Sequence, residues 1–504
     1  MKAHSLLYIA IIFFVILGNS CRKDFNFENS TGNLSFSKDT VYLDTVFSTI
    51  NSSTYGFKVY NKSNTDVQIP KIELAKGVHS YYKLNVDGQA GDSFTNTPLY
   101  AKDSLYIFVE IHALNVESSN FLYTDAVLFD SGNNTQKVEL VSLVKDAIFL
   151  FPTKFEDGTT ETIILTLDEN NEELTKEGFA LTDQNLNFTA NKPYVIYGYA
   201  TIPENETLTI EAGARIYFHK NSGILIKDQA SIQVNGKLST NQDLLENEVI
   251  FEADRLEPSY KNVAGQWGGL WFTKGSINNS INYATIKNAS IGIYINGKTE
   301  NKTTTLTLSN TQIYNSLQTN VYALNSNIDV YNCIIANAGF ASLQLKQTGT
   351  YNFNHTTIAN YWTKTYRTGT ALQINNTSTT SVANTLEANF TNSIIDGNAT
   401  NELLLLESSS NVLNFKFTNC IIKFDTEITS NLYNFKDITH YILPYISAET
   451  AFINPLKHNF EIKNNSAAID NADKNSALKI PLDINGNSRT SSPDIGAYEF
   501  APNN

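Results

Sequence analysis

The chain of 504 residues carries 36 Lys and Arg against 50 Asp and Glu, a formal charge of −14. Cations this sparse exclude nucleic acid as a partner, which needs clustered Lys and Arg, and weigh against an anionic polysaccharide unless a divalent ion bridges. With 26 Tyr, 29 Phe and a single Met among abundant Asn, Thr and Ser, the chain suits many short strands joined by polar turns, and its length suits two or three domains.

The N-terminus reads as an address. Met1-Lys2 is followed by an unbroken apolar run from Leu6 to Leu17, then Gly18, Ser20 and Cys21. The run is shorter than the roughly 20 residues a membrane-spanning helix needs, and it fits a signal-peptide core. It resembles a bacterial lipoprotein signal of the Bacteroidetes type, although Gly18 occupies the slot where such signals carry Leu. The resemblance implies removal of residues 1–20, acylation of Cys21 as a membrane anchor, and a tether over 21–32. Arg22-Lys23-Asp24 resembles the charged tag that sends such lipoproteins to the cell surface. The expected location is therefore the outer membrane, lipid-anchored, surface-exposed or periplasmic.

Residues 33–150 break into strand-sized runs such as Tyr55–Tyr60, Tyr82–Val86 and Lys137–Val144, separated by turn signals including Asp87-Gly88. About seven short strands in this length predict a β-sandwich. The phrase Phe57–Asn61 followed by Ile72–Ala75 resembles immunoglobulin-like modules of extracellular bacterial proteins, without the paired cysteines of antibody domains. The sandwich is expected to act as a spacer. Glu110 and His112, two apart, read as a solvent-facing pair. Residues 151–204, with an acidic run at 169–173, read as a connector and N-terminal cap.

From 205 to 445 one phrase recurs: Asn310–Asn315, Asn332–Asn337, His355–Asn360, Asn392–Gly397 and Asn419–Phe424, with a looser copy at Tyr283–Asn288. A period of 20 to 50 residues means a solenoid. Its anchors are Ile286, Ile313, Ile335, Ile358, Ile395 and Ile422. Two residues earlier stand Ala284, Thr311, Cys333, Thr356, Ser393 and Cys420, all small. Stacked coils predict an interior isoleucine ladder, a tight small-residue slot and corner asparagines in left-handed backbone. Cys333 and Cys420 share that slot three coils apart, roughly 14 Å at the usual strand spacing. That separation predicts two free, buried thiols, since a disulfide needs Cα atoms within about 7 Å. Leu208–Ala214, Gly223–Ile226 and Gly265-Gln266-Trp267-Gly268-Gly269-Leu270-Trp271-Phe272 resemble the opening coils of right-handed, pectate-lyase-like parallel β-helix proteins. The expected fold class is all-β: an N-terminal β-sandwich followed by a right-handed single-stranded parallel β-helix.

The widest step, from Ile358 to Ile395, predicts a projecting loop, and solenoid insertions often lie on the binding side. Tyr361, Trp362, Tyr366 and Arg367 on this loop are candidate ligand-binding residues. Trp267 and Trp271, sharing a strand parity, are two more, with the 254–263 loop expected to cover them. No phosphate loop, zinc spacing or nucleophile elbow appears. Asp396, Glu402 and Glu407 lie in one region without a paired-carboxylate motif, and His355 reads as a structural corner. No metal site and no cofactor are expected. Residues 446–504, closing on Pro493-Asp494-Ile495-Gly496-Ala497-Tyr498-Glu499, resemble the C-terminal signature of secreted bacterial β-helices. They predict a cap over the last strand edge, with Asp483, Arg489 and Asp494 as an ion-pair network. The functional expectation is a non-catalytic binding or structural scaffold for glycans or cell-surface proteins. The alternative is a polysaccharide lyase or glycoside hydrolase on the same fold.

Overall fold

The computed structural model describes residues 27–502 except 49, 113–120, 168–172, 299–302, 378–384, 409–410 and 429. Cys21 and the signal segment lie outside the described residues, as does most of the acidic run at 169–173. The chain divides into two units, Met1–Asp146 and Ala147–Asn504. Among the described residues no helix is long and apolar enough to cross a membrane.

The first unit is a β-sandwich. A six-stranded sheet includes Thr40–Phe47, Val67–Leu74, Phe121–Phe129 and Gln136–Lys145; a five-stranded sheet includes Tyr55–Tyr60, Tyr82–Val86 and Ser104–Ile111. Alternation along each strand sends Val59, Ile69, Leu84, Ile107, Val127 and Leu140 into one core. Glu110 and His112 face solvent, 3.8 Å apart.

The second unit is the parallel β-helix. In one coil Gln312–Ser316 joins an eleven-stranded anchor sheet, Thr319–Leu324 a ten-stranded second sheet and Ile328–Tyr331 a ten-stranded third sheet. Ile286, Ile313, Ile335, Ile358, Ile395 and Ile422 stand in register in the anchor sheet and are fully buried. The small slot beside them is interior as well. Cys333 and Cys420 are free and buried, and burial pushes both thiols up to about 12. Tyr283, Asn310, Asn332, His355, Asn392 and Asn419, each three residues before its anchor, have φ between 46° and 52°. This is left-handed backbone, which Asn tolerates best among non-glycine residues and which turns the corner. His355 takes that corner as a buried ring, its Nε2 accepting from Asn392 Nδ2 at 3.0 Å.

The solenoid starts earlier than residue 205. Ile148–Leu150, Glu173–Ala180 and Asn187–Phe188 pair in parallel with Tyr194–Ile196, Tyr199–Ile202 and Thr207–Glu211. Ile148–Leu150, expected in the sandwich, therefore opens the anchor sheet, and the stretch expected as a connector opens the other two. The anchor-sheet strands here, Ile148–Leu150 and Tyr194–Ile196, are three residues each and carry no copy of the repeat phrase.

The C-terminal segment departs further from expectation. The far end of the core is covered by Leu432, Tyr433, Phe435 and Tyr441, with Tyr433 Oη accepting the Leu405 N–H at 2.8 Å. Residues 448–500 instead lie along the outer face of the anchor sheet. Phe452, Phe460, Ile462, Ile495 and Tyr498 bury Ile334, Ala336, Ala359, Ile394 and Ile421. Corner asparagines hold this segment: Asn332, Asn392 and Asn419 donate to the carbonyls of Leu482, Asp473 and Asn471 at 2.7, 3.2 and 2.9 Å. Arg489 is buried and pairs with Glu499, while its Nη2 donates to Asn332 Oδ1 and to the carbonyls of Gly496 and Ala497. The expected network is thus corrected. Asp483 accepts backbone N–H groups of Asn485, Asn487 and Glu499, and Asp494 accepts those of Asp470 and Phe500.

Candidate functional site

The loop after Ile358 is built around a buried ion pair. Arg367 Nη1 and Nη2 meet Glu402 Oε2 and Oε1 at 2.9 and 2.6 Å, with side chains 5% and 0% exposed. The Ala371 and Ala399 N–H groups donate to the same carboxylate at 2.7 and 2.8 Å. Burial raises the Glu402 carboxyl, and Arg367 opposes the rise. Arg367 is therefore a brace and has nothing left for a ligand. Tyr361 is a second brace. Its hydroxyl donates to Asp396 Oδ2 at 2.9 Å, an oxygen that also accepts from Thr450, while Asp396 Oδ1 accepts the Gly397 N–H at 2.7 Å and faces Lys423. Trp362 is buried, its Nε1 donating to Thr365 Oγ1 at 2.9 Å; Tyr366 is 90% exposed.

The two earlier tryptophans part company. Trp267 is fully buried, stacked on Phe218 with centroids 4.2 Å apart, and donates from Nε1 to the Lys287 carbonyl at 2.8 Å. It has no surface to offer a ligand. Parity fails here because Gly268 and Gly269 intervene. Gly269 has φ of 150°, and a Cβ on it would lie 1.9 Å from the Ile291 carbonyl. The turn sends Trp267 inward while Trp271 stays on the outer face of the second sheet. There Trp271 stacks on Tyr294 (4.2 Å), Tyr294 on Tyr322 (5.4 Å), and Lys346 lies over Tyr322. These rings spend their faces on one another, which leaves edges outward. The 254–263 loop covers a different corner, its Lys261 and Asn262 carbonyls accepting from Asn288 and Asn315.

The open concavity lies on the third sheet. Its outer column reads Gln233, Ser280, Thr307, Asp329, Asn352, Asn389 and Lys416 in consecutive coils. A groove of 680 Å³ runs between this face and the Ser476–Leu482 stretch, with Tyr283, Tyr331 and Pro481 on its walls. A further cavity of 460 Å³ shares Asp329 and Asn352 with it and adds Glu387 and a rim of threonines. Asn352 Nδ2 donates to Asp329 Oδ1 at 2.9 Å, and Asn389 Nδ2 donates to Asn352 Oδ1 at 3.1 Å. Asn352 keeps a second N–H for a ligand, while Asn389 gives its other N–H to Glu387 Oε1 at 3.1 Å and so holds Asn352 in place. Beside them Asn354 Oδ1 is buried at the groove wall without a hydrogen-bond partner among the described residues. Such an acceptor costs about 1–3 kcal/mol unless a ligand or water meets it. The signal was present in the sequence as alternating polar residues, Asn352 with Asn354 and Asn389 with Thr391. Among the described residues no group of three or more His, Cys, Asp or Glu could hold a metal ion.

No protein-family profile and no curated protein sequence matches the chain. Among solved structures, the catalytic unit of a thermostable GH87 α-1,3-glucanase from Streptomyces thermodiastaticus aligns at 10% identity and a TM-score of 0.22, over 77% of this chain and 64% of that one. A family 123 glycoside hydrolase from Clostridium perfringens aligns at 8% and 0.17, over 24% and 28%. The E. coli chaperone DraB aligns at 10% and 0.17, over 24% and 58%. The chain covers less than two thirds of each of these three, and likenesses this low carry no argument about activity.

Proposed function

We propose that this chain is a lipoprotein of the Bacteroidetes type, anchored in the outer membrane through Cys21 and either surface-exposed or periplasmic. In this reading an immunoglobulin-like sandwich accompanies a pectate-lyase-like β-helix that binds glycans without turning them over. The carrying observation is the third-sheet groove, with its amide ladder and the unpartnered Asn354 Oδ1. Column positions recur once per coil, about 4.8 Å apart, a step close to the length of one sugar unit, so a polysaccharide lying along the axis meets a polar side chain at each step. Cell-surface proteins carrying such glycans are the natural partners.

Asp329 and Glu387 on the adjoining cavity are the observation that favours hydrolysis. Hydrolysis needs one carboxyl held protonated. Each instead accepts hydrogen bonds from neighbouring side chains, Asp329 from Thr304 and Asn352, Glu387 from Asn389, and so serves the polar ladder of the sheet. Binding is therefore the reading. Calorimetric titration of the glycans retained on an array tests it. Asn352→Ala and Asn389→Ala should each weaken the same glycan by about 1 kcal/mol, roughly fivefold. Unchanged affinity in both variants would show that the glycan does not bind in the groove.

A further inference from the structure

The sandwich unit has a cavity of its own, 500 Å³, on the outer face of the five-stranded sheet. Its shape follows from the strand register. Phe108 lies opposite Gly56 on one neighbouring strand and Asn85 on the other, and Asn85 lies opposite Ala90. Small residues end this row on both sides, and the Phe108 ring leans over Gly56, where an added Cβ would lie 3.3 Å from its ring carbons. Tyr106, two residues earlier on the same face, holds its ring within 6° of parallel to Phe108, centroids 5.7 Å apart. The two residues are 48% and 38% exposed. Lys58 lies over the Tyr106 ring at 4.5 Å. At the other end Lys83 pairs with Asp92 at 3.0 Å and His112 lies 3.8 Å from Glu110. Between these ends Asn85 Oδ1 is buried with no hydrogen-bond partner among the described residues.

A pure spacer has no use for an exposed aromatic pair beside an unsatisfied buried acceptor. We infer that this cavity is a second carbohydrate site, independent of the third-sheet groove, that takes a short stretch of uncharged sugar. The apolar face of a pyranose ring packs on Phe108 in the cavity, and Tyr106 beside it extends the aromatic surface. A sugar hydroxyl donates to Asn85 Oδ1, and the Lys83–Asp92 and Glu110–His112 pairs meet hydroxyls at the rim. Because the rim lysine, Lys83, is already paired with Asp92 and Glu110 adds a carboxylate, an acidic sugar gains little there, and a neutral one is favoured.

The test uses the full chain and calorimetric titration with cellohexaose, xylohexaose, mannohexaose and maltohexaose, with hexagalacturonate as the charged control. At least one neutral hexasaccharide should lose about ten- to a hundredfold in affinity with Phe108→Ala. The same sugar should keep its affinity with Phe108→Tyr and, at this site, with Asn352→Ala in the groove. Asn85→Leu should weaken it as well. Phe108 points outward, so the melting temperature should stay within a few degrees of wild type, and a second outward variant, Tyr106→Ala, repeats the test if it does not. Binding of hexagalacturonate alone, or neutral-sugar affinities that none of these sandwich variants lowers, overturns the proposal. Loss with Asn352→Ala but not with Phe108→Ala would leave the groove standing and remove this site.

Discussion

Replacing Arg367 by Met should loosen the 361–371 loop while leaving the coils intact. The substitution keeps most of the aliphatic bulk and removes the guanidinium, so the Glu402 carboxylate, 0% exposed, is left without its charge partner. Breaking a buried pair from one side costs about 3–5 kcal/mol. The direct readout is hydrogen exchange at the Ala371 and Ala399 amides, which donate to Glu402. At about 1.4 kcal/mol per decade, their exchange should quicken by roughly a hundred- to several-thousandfold at neutral pH. The effect has a pH signature. The Glu402 carboxyl is raised by burial even with Arg367 present, and losing Arg367 raises it further. A carboxyl whose folded pKa lies above its unfolded one binds its proton more readily when folded, so the loss grows as pH rises through that interval and shrinks on acidification. The double variant with Glu402→Gln should recover most of the protection. Less than tenfold acceleration, or a double variant no better than Arg367→Met, would show that this pair does not hold the loop.

Ile335→Ala, in the middle of the anchor ladder, should destabilise the β-helix by about 2–5 kcal/mol in denaturant melts. Cys333 and Cys420 should resist a thiol reagent in the native protein and react on unfolding; a native 333–420 disulfide would refute the strand register. Arg489→Met should release the C-terminal segment, seen as earlier proteolytic cleavage after residue 446 and as dye binding to the uncovered Ile334, Ile394 and Ile421. His458 is stacked on Tyr314, with Nδ1 2.9 Å from the Asn337 side-chain amide, and burial, aided by Lys364 and Lys287, lowers it to about 4. The unfolded chain takes up that proton near the ordinary 6.5, so stability should fall as pH drops from there to about 4, by about 3 kcal/mol. His458→Phe should flatten that slope.

The anchor ladder was legible because interior positions repeat: an isoleucine, a small residue two before it and a corner asparagine. The need for an outer cover is legible too. Ile334-Ile335, Ile394-Ile395 and Ile421-Ile422 place adjacent isoleucines on opposite faces of a strand, so the outward member demanded a partner. That partner, residues 448–500, has no period of its own and reads as an end cap. Trp267 was misplaced because two glycines between it and Trp271 break the alternation that parity counting assumes. Tyr361 and Arg367 drew attention as an aromatic-plus-cation cluster, yet their partners Asp396 and Glu402 lie 35 residues away in sequence, and only the folded coils bring them together. The groove was hardest to see, because its Asn and Asp residues differ little from those of an ordinary solvated strand face.

The most direct test of the central claim is a neutral-glycan array with the purified chain, followed by chromatography of every retained glycan after prolonged incubation. The claim requires that at least one glycan be retained, be weakened by Asn352→Ala and be recovered with its chain length unchanged. Shortened or unsaturated products, or retention that Asn352→Ala and Asn389→Ala leave untouched, would contradict it.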